Sequence, residues 1–77
     1  MNRTFRKASA GPRLSAEEAQ RQGRCSTLAF LTLGREGALL FLNAHDDALG
    51  GRPLDVAIAS AEGLAAVERA IDARKAP

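Results

Sequence analysis

The sequence predicts an all-α fold, a small bundle of about four helices behind a disordered basic N-terminal tail. Three observations carry that prediction. Helix-start signals recur at Ser15, Pro53 and Ser60, the segment from Ala61 to about Arg74 has apolar residues at helical spacing, and no segment reads as a strand with a partner to pair with. The 77 residues divide into a tail, 1–14, and one folded domain, 15–77.

The tail lacks periodicity and contains Gly11-Pro12, a local breaker. The first helix begins after Ser15, whose hydroxyl can accept from the N–H three residues on while Glu18 reaches back, a capping box with Leu14 as a hydrophobic staple. Thr27 to Leu33 has strand propensity, but a lone strand apolar on both faces would leave its backbone groups unpaired, so a helix is expected to continue to Gly34. Cys25, Leu28, Ala29 and Thr32 would line one side, with Phe30, Leu31 and Leu33 covering the rest.

Arg35 to Leu42 reads as a second, short helix, with either Leu39 and Leu42 or Ala38 and Phe41 turned inward, and Asn43 stops it. Asp46 and Asp47 form a capping or Asx-turn pair ahead of Leu49. Gly50-Gly51 then makes a corner that needs positive φ at one position or close approach of another chain. Pro53 starts a third helix to Ala59, turning Leu54, Ala57 and Ile58 inward, and Ser60 caps the fourth. Along that last helix Leu64, Val67 and Ile71, widened by Ala70, form the apolar seam. Glu68 and Asp72 are a like-charge pair on its polar face that a basic neighbour would relieve.

Charge is distributed unevenly. Residues 1–14 carry Arg3, Arg6, Lys7 and Arg13 with no acid, whereas the rest of the chain has seven basic and nine acidic side chains. The high isoelectric point of about 9.3 is thus a property of the tail. Such an arm suits nucleic-acid phosphates or an acidic protein surface, although a solvated tail explains it as simply. No uninterrupted apolar run approaches a membrane span, the start lacks a secretory apolar region, and the single cysteine, Cys25, favours a reducing compartment and a core role. A cytoplasmic protein is expected.

Little here converges for catalysis. His45-Asp46-Asp47 has no second histidine or spaced cysteine to complete a metal shell, and one histidine without a nucleophile elbow makes no triad. Gly50-Gly51-Arg52 lacks the lysine and spacing of a phosphate loop, so it reads as a helix-linking or protein-contact corner before a nucleotide site. The helices after the tail are neutral to acidic, which disfavours a helix-turn-helix reader of DNA.

Phe41-Leu42-Asn43, His45, the block Leu49-Gly50-Gly51-Arg52-Pro53-Leu54-Asp55, and Ser60-Ala61-Glu62-Gly63-Leu64 with Val67-Glu68 together resemble the C-terminal toxin-binding domain of the Xre/MbcA/ParS antitoxins, over Ser15 to about Ala73. Ala44 stands where the family pattern has proline, and its Arg-x-Pro is contracted to Arg52-Pro53. The resemblance implies a bacterial antitoxin of a type II toxin–antitoxin system, a small α-helical domain without enzymatic activity, cofactor or metal. Its implied partner is a RES-domain toxin that consumes NAD⁺, held in a hetero-oligomer, with a homodimer as a further assembly, and blocked at its active-site entrance. Carried onto this chain, Gly50, Gly51, Arg52, Arg69, Arg74 and Lys75 would face the toxin, and Pro53, Leu54, Asp55, Gly63 and Val67 would hold the corner. Residues 1–14 do not match the DNA-binding domain that precedes this region in many members, so the resemblance carries toxin binding rather than promoter binding. The alternative function is a small DNA-binding transcriptional regulator using the basic arm, which a steep salt dependence of DNA affinity would reveal. A small enzyme is the remaining rival, and binding of NAD⁺ by the chain alone would favour it.

Overall fold

A computed structural model describes residues 14–75. The expected disordered arm, apart from Leu14, lies outside them. The described chain is all helical in its regular structure, with α1 at Ala16–Asn43, α2 at Pro53–Ala59 and α3 at Ala61–Ala73, each packed on the other two. Three helices therefore replace the expected four among the described residues. The two helices expected on either side of Gly34 form one 28-residue element, interrupted at Gly34 by a non-helical φ of 77° and ψ of 171°.

The reason for that break lies in the phase of the apolar residues. At about 100° per residue, Cys25 and Ala29 point in one direction, while Ala38, Phe41 and Leu42 point about half a turn away. A straight helix would bury only one of these sets. All five are buried in one core with Ala57, Val67 and Ile71, because the chain leaves the helical path at Gly34 and re-enters it turned. The conformation at Gly34 belongs to a region that essentially only glycine occupies.

Both helix starts flagged by serine carry their caps. Ser15 and Glu18 make the reciprocal capping-box bonds, at 3.1 Å and 2.8 Å, and the Ser60 hydroxyl accepts from the Gly63 N–H at 2.9 Å. α2 starts at Pro53, which is fully buried, and its last turn is tied to α1 where the Arg21 Nε donates to the Ile58 carbonyl at 2.9 Å. The α1–α3 seam gains a bond from Arg24 Nε to Glu68 at 2.7 Å, so the acidic pair on α3 meets a cation from within the chain. Asp72 has Lys75 at 3.6 Å.

The core is small and rich in alanine. Of the inward set expected for α2, Ala57 is buried and Leu54 and Ile58 are half-buried. In the second half of α1 the structure selects Ala38, Phe41 and Leu42, and leaves Leu39 exposed. The covering role expected for Leu31 and Phe30 does not hold. Leu31 is 81% exposed and Phe30 40%, and Leu40 is 74% exposed, because two short helices cannot wrap every side of a helix as long as α1.

By length and composition α1 also meets the measure of a membrane-crossing helix, with a mean hydropathy of 1.3 over 18 residues. The apolar stretch between Arg24 and Asp46 carries Arg35 and Glu36 in its middle, and a charge at a bilayer centre costs about 2.5–3.5 kcal/mol. In this structure α1 supplies the surface on which α2 and α3 pack.

Candidate functional site

The loop from Ala44 to Arg52 is a tight corner built around one backbone carbonyl. Asp46 O accepts from the N–H groups of Leu49, Gly50 and Gly51 at 3.1, 2.9 and 3.2 Å, and Asp46 N–H donates to Gly51 O at 3.0 Å. The Asp46 carboxylate accepts from the Leu49 N–H at 3.2 Å, the Asx turn suggested by the sequence. Gly50 takes the left-handed conformation, φ 79°, that closes the turn. Gly51 does not, and a Cβ there would meet Val56 only at ordinary contact distance, 3.5 Å. Of the diglycine, then, Gly50 carries the conformational demand.

Arg52 precedes Pro53 and faces back over the corner. Its guanidinium makes a fork with Asp55, Nη2 to Oδ1 at 2.8 Å and Nε to Oδ2 at 3.1 Å, while Nη1 reaches Asn43 Oδ1 at 3.3 Å. The Asn43 amide also donates to Leu39 O at 2.9 Å. Arg52 thereby ties the start of α2 to the end of α1. The Arg52 bond holds the Asp55 carboxyl below its ordinary range, and Asp55 raises the guanidinium in turn. Both groups are exposed, so water screens the pair.

The end of α3 closes the other side. The Arg74 guanidinium lies 4.6 Å from the centre of the Phe41 ring, a cation–π contact, and Nη2 is 3.8 Å from Asp46 Oδ2. Between α1, the corner and Arg74 opens a groove of about 430 Å³ floored by Leu33, Leu40 and Phe41. His45 at its edge pairs with Asp47 at 3.0 Å.

The structure thus brings Gly50, Gly51 and Arg74 to Asp46, while Arg52 turns to Asp55 and Asn43 and Lys75 follows Arg74 in the chain. Arg69 is exposed on α3 and makes no ion pair with any described residue. Among the residues expected to hold the corner, Pro53 and Val67 are buried, Leu54 is half-buried and Asp55 serves through Arg52. Gly63 has a steric reason. A Cβ there would drive into the Val56 carbonyl oxygen and come within 3.0 Å of its carbon, so only glycine lets α3 start this close to α2.

Two contributors were not legible as such. Asp46 reads in sequence as one of two turn aspartates, and Phe41 as a core residue, since backbone acceptance and ring stacking leave no pattern along the chain. Cys25 is fully buried, and burial, followed by the charge of Glu68, pushes its thiol up to about 11, away from nucleophilic chemistry. No group of three or more histidine, cysteine, aspartate or glutamate side chains suited to a metal occurs among the described residues. Comparison of the chain with protein-family models, with curated proteins and with solved structures gives no match in any of the three.

Proposed function

We propose that this chain is an antitoxin that binds a RES-domain, NAD⁺-consuming toxin in a hetero-oligomeric complex and blocks its active-site entrance. The reading starts from the sequence resemblance, and one observation carries it further. The block Leu49 to Asp55 is a corner pinned by the Leu49, Gly50 and Gly51 amides on the Asp46 carbonyl and by the Arg52–Asp55 fork, with Arg74 reaching Asp46 from the end of α3. A shape fixed before binding loses little entropy on docking, which suits a protein-contact surface. In this reading Arg69, Arg74 and Lys75 approach the region of the toxin that receives the NAD⁺ phosphates, and the corner abuts its rim.

The test is co-expression with a RES-domain protein encoded beside this chain. Co-purification and restored cellular NAD⁺ are expected. Charge reversal at Arg69, Arg74 and Lys75 together should release toxin activity, with circular dichroism confirming that the helices persist after Arg74 leaves Phe41. Failure of the wild-type chain to associate with any such toxin ends the reading, whereas unchanged inhibition by the triple variant removes only its electrostatic part.

A further inference from the structure

A single residue, Gly34, divides the described chain into two parts that are joined otherwise by packing. Residues 16–33 lie before it, and residues 35–75 carry the rest of α1 with α2 and α3. Across the divide the Arg21 side chain bonds the Ile58 carbonyl, Arg24 bonds Glu68, and Cys25 and Ala29 share the core with Ala57, Val67 and Ile71. The corner lies in the second part. Its contacts among Phe41, Asp46, Gly50, Gly51, Arg52, Asp55 and Arg74 use no residue from 16–33.

Straightening α1 at Gly34 would turn the face of Cys25 and Ala29 about half a turn away from that of Ala38, Phe41 and Leu42, out of reach of the chain's own α2 and α3. A second copy opened in the same way supplies what each has lost. Two glycines weight the choice between the forms. Gly34 takes a φ of 77° in the broken helix, where alanine is disfavoured, and nothing lies within 4 Å of a Cβ built there. At Gly37 a Cβ would stand 3.2 Å from that of Leu33, whereas Cβ atoms four residues apart on an unbroken helix are about 5–6 Å apart. Both positions therefore accept a side chain in a straight α1 and resist one in the broken α1.

We propose that Gly34 is a swap hinge: two copies of the chain, each with α1 unbroken from Ala16 to Asn43, exchange residues 16–33, so that this segment packs on α2 and α3 of the other copy. The exchanged dimer keeps the same core and the same ties, and it carries two complete corners on one particle. Only the hinge and the entropy of association separate it from the single copy, which makes exchange of identical elements a low-cost route to a dimer. Short hinges under strain favour such exchange, and glycine at positions 34 and 37 relieves that strain and keeps the single copy in the majority. The proposal concerns the chain alone and is independent of the toxin reading.

The test is light scattering coupled to size-exclusion chromatography at rising concentration, on the full chain as wild type, Gly34→Ala and Gly37→Ala. The wild type should be mainly monomeric, with a dimer share that grows with concentration. Gly34→Ala should raise the association constant about ten-thousandfold, from strain relieved at two hinges and the helix preference of alanine, and Gly37→Ala about a hundredfold, from crowding relieved twice. In a dimer formed from one isotope-labelled and one unlabelled copy, nuclear Overhauser contacts should run between chains, from the Ala29 side of the core in one to Val67 or Ile71 in the other. A Gly34→Ala chain that is monomeric or unfolded at every concentration overturns the proposal, as does an unchanged constant for Gly37→Ala or a dimer whose core contacts stay within each chain.

Discussion

At the scale of single residues, three positions have consequences that follow from their immediate surroundings. Gly63→Ala forces a methyl group against the Val56 carbonyl, and a loss of about 2–3 kcal/mol in chemical denaturation is expected. Gly50→Ala meets no neighbour but keeps a positive φ, so the expected cost is smaller, about 1–2 kcal/mol. Cys25 should resist alkylation at neutral pH while the chain is folded. Because its folded pKa, about 11, lies above the ordinary thiol value of 9.0, its neutral form contributes stability that is complete below pH 9 and declines as pH rises towards 11. Denaturation midpoints measured from pH 8 to 11 in wild type and Cys25→Ala check this, since the variant should have the shallower alkaline fall. The capping role of Ser15 and the need for a glycine at position 50 or 51 were readable from residue type alone. The steric demand at Gly63 was not, because it depends on how closely a second helix approaches.

At the scale of elements, the break in α1 is the feature that places everything else. Gly34→Ala should cost about 2 kcal/mol, since alanine is strained at φ 77° and a straight helix would expose one of the two core faces. Gly23 is a control on the same helix with open space around it, and Gly23→Ala should instead stabilise by about 0.5–1 kcal/mol. Thermal unfolding of the two variants side by side separates a required glycine from a tolerated one. Gly34 was legible as a stop signal, and Arg35 to Leu42 as a helix of its own. What sequence spacing did not reveal is that the chain resumes at once as the same element, because periodicity within each half is silent about the turn that joins them. The corner was likewise legible from Gly50-Gly51-Arg52-Pro53, but its dependence on the Asp46 carbonyl was not, since any residue supplies that group.

For the whole molecule, the decisive quantity is the small size of the core. Val67 and Ile71 are the largest fully buried aliphatic side chains, and Ile71→Ala should cost about 2–5 kcal/mol, a large share of the stability of a domain this size. Leu31→Ser with Leu40→Ser should change stability by no more than about 0.5 kcal/mol, because both are already in water. Urea denaturation of the two variants compares a core with an unpaired surface in one experiment. The all-α class was evident from helix starts and spacing, whereas the exposure of Leu31 and Leu40 on α1 was not, because a leucine in an amphipathic pattern looks the same whether a neighbour covers it or not. The convergence of three N–H groups on the Asp46 carbonyl has a further consequence for motion. The amides of Leu49, Gly50 and Gly51 share the Asp46 carbonyl, with Leu49 also bonded to the Asp46 carboxylate and Gly50 to the Asp47 carbonyl, so hydrogen exchange should find Gly51, which has the Asp46 carbonyl alone, the least protected of the three, making its rate a gauge of how often the corner loses its shape.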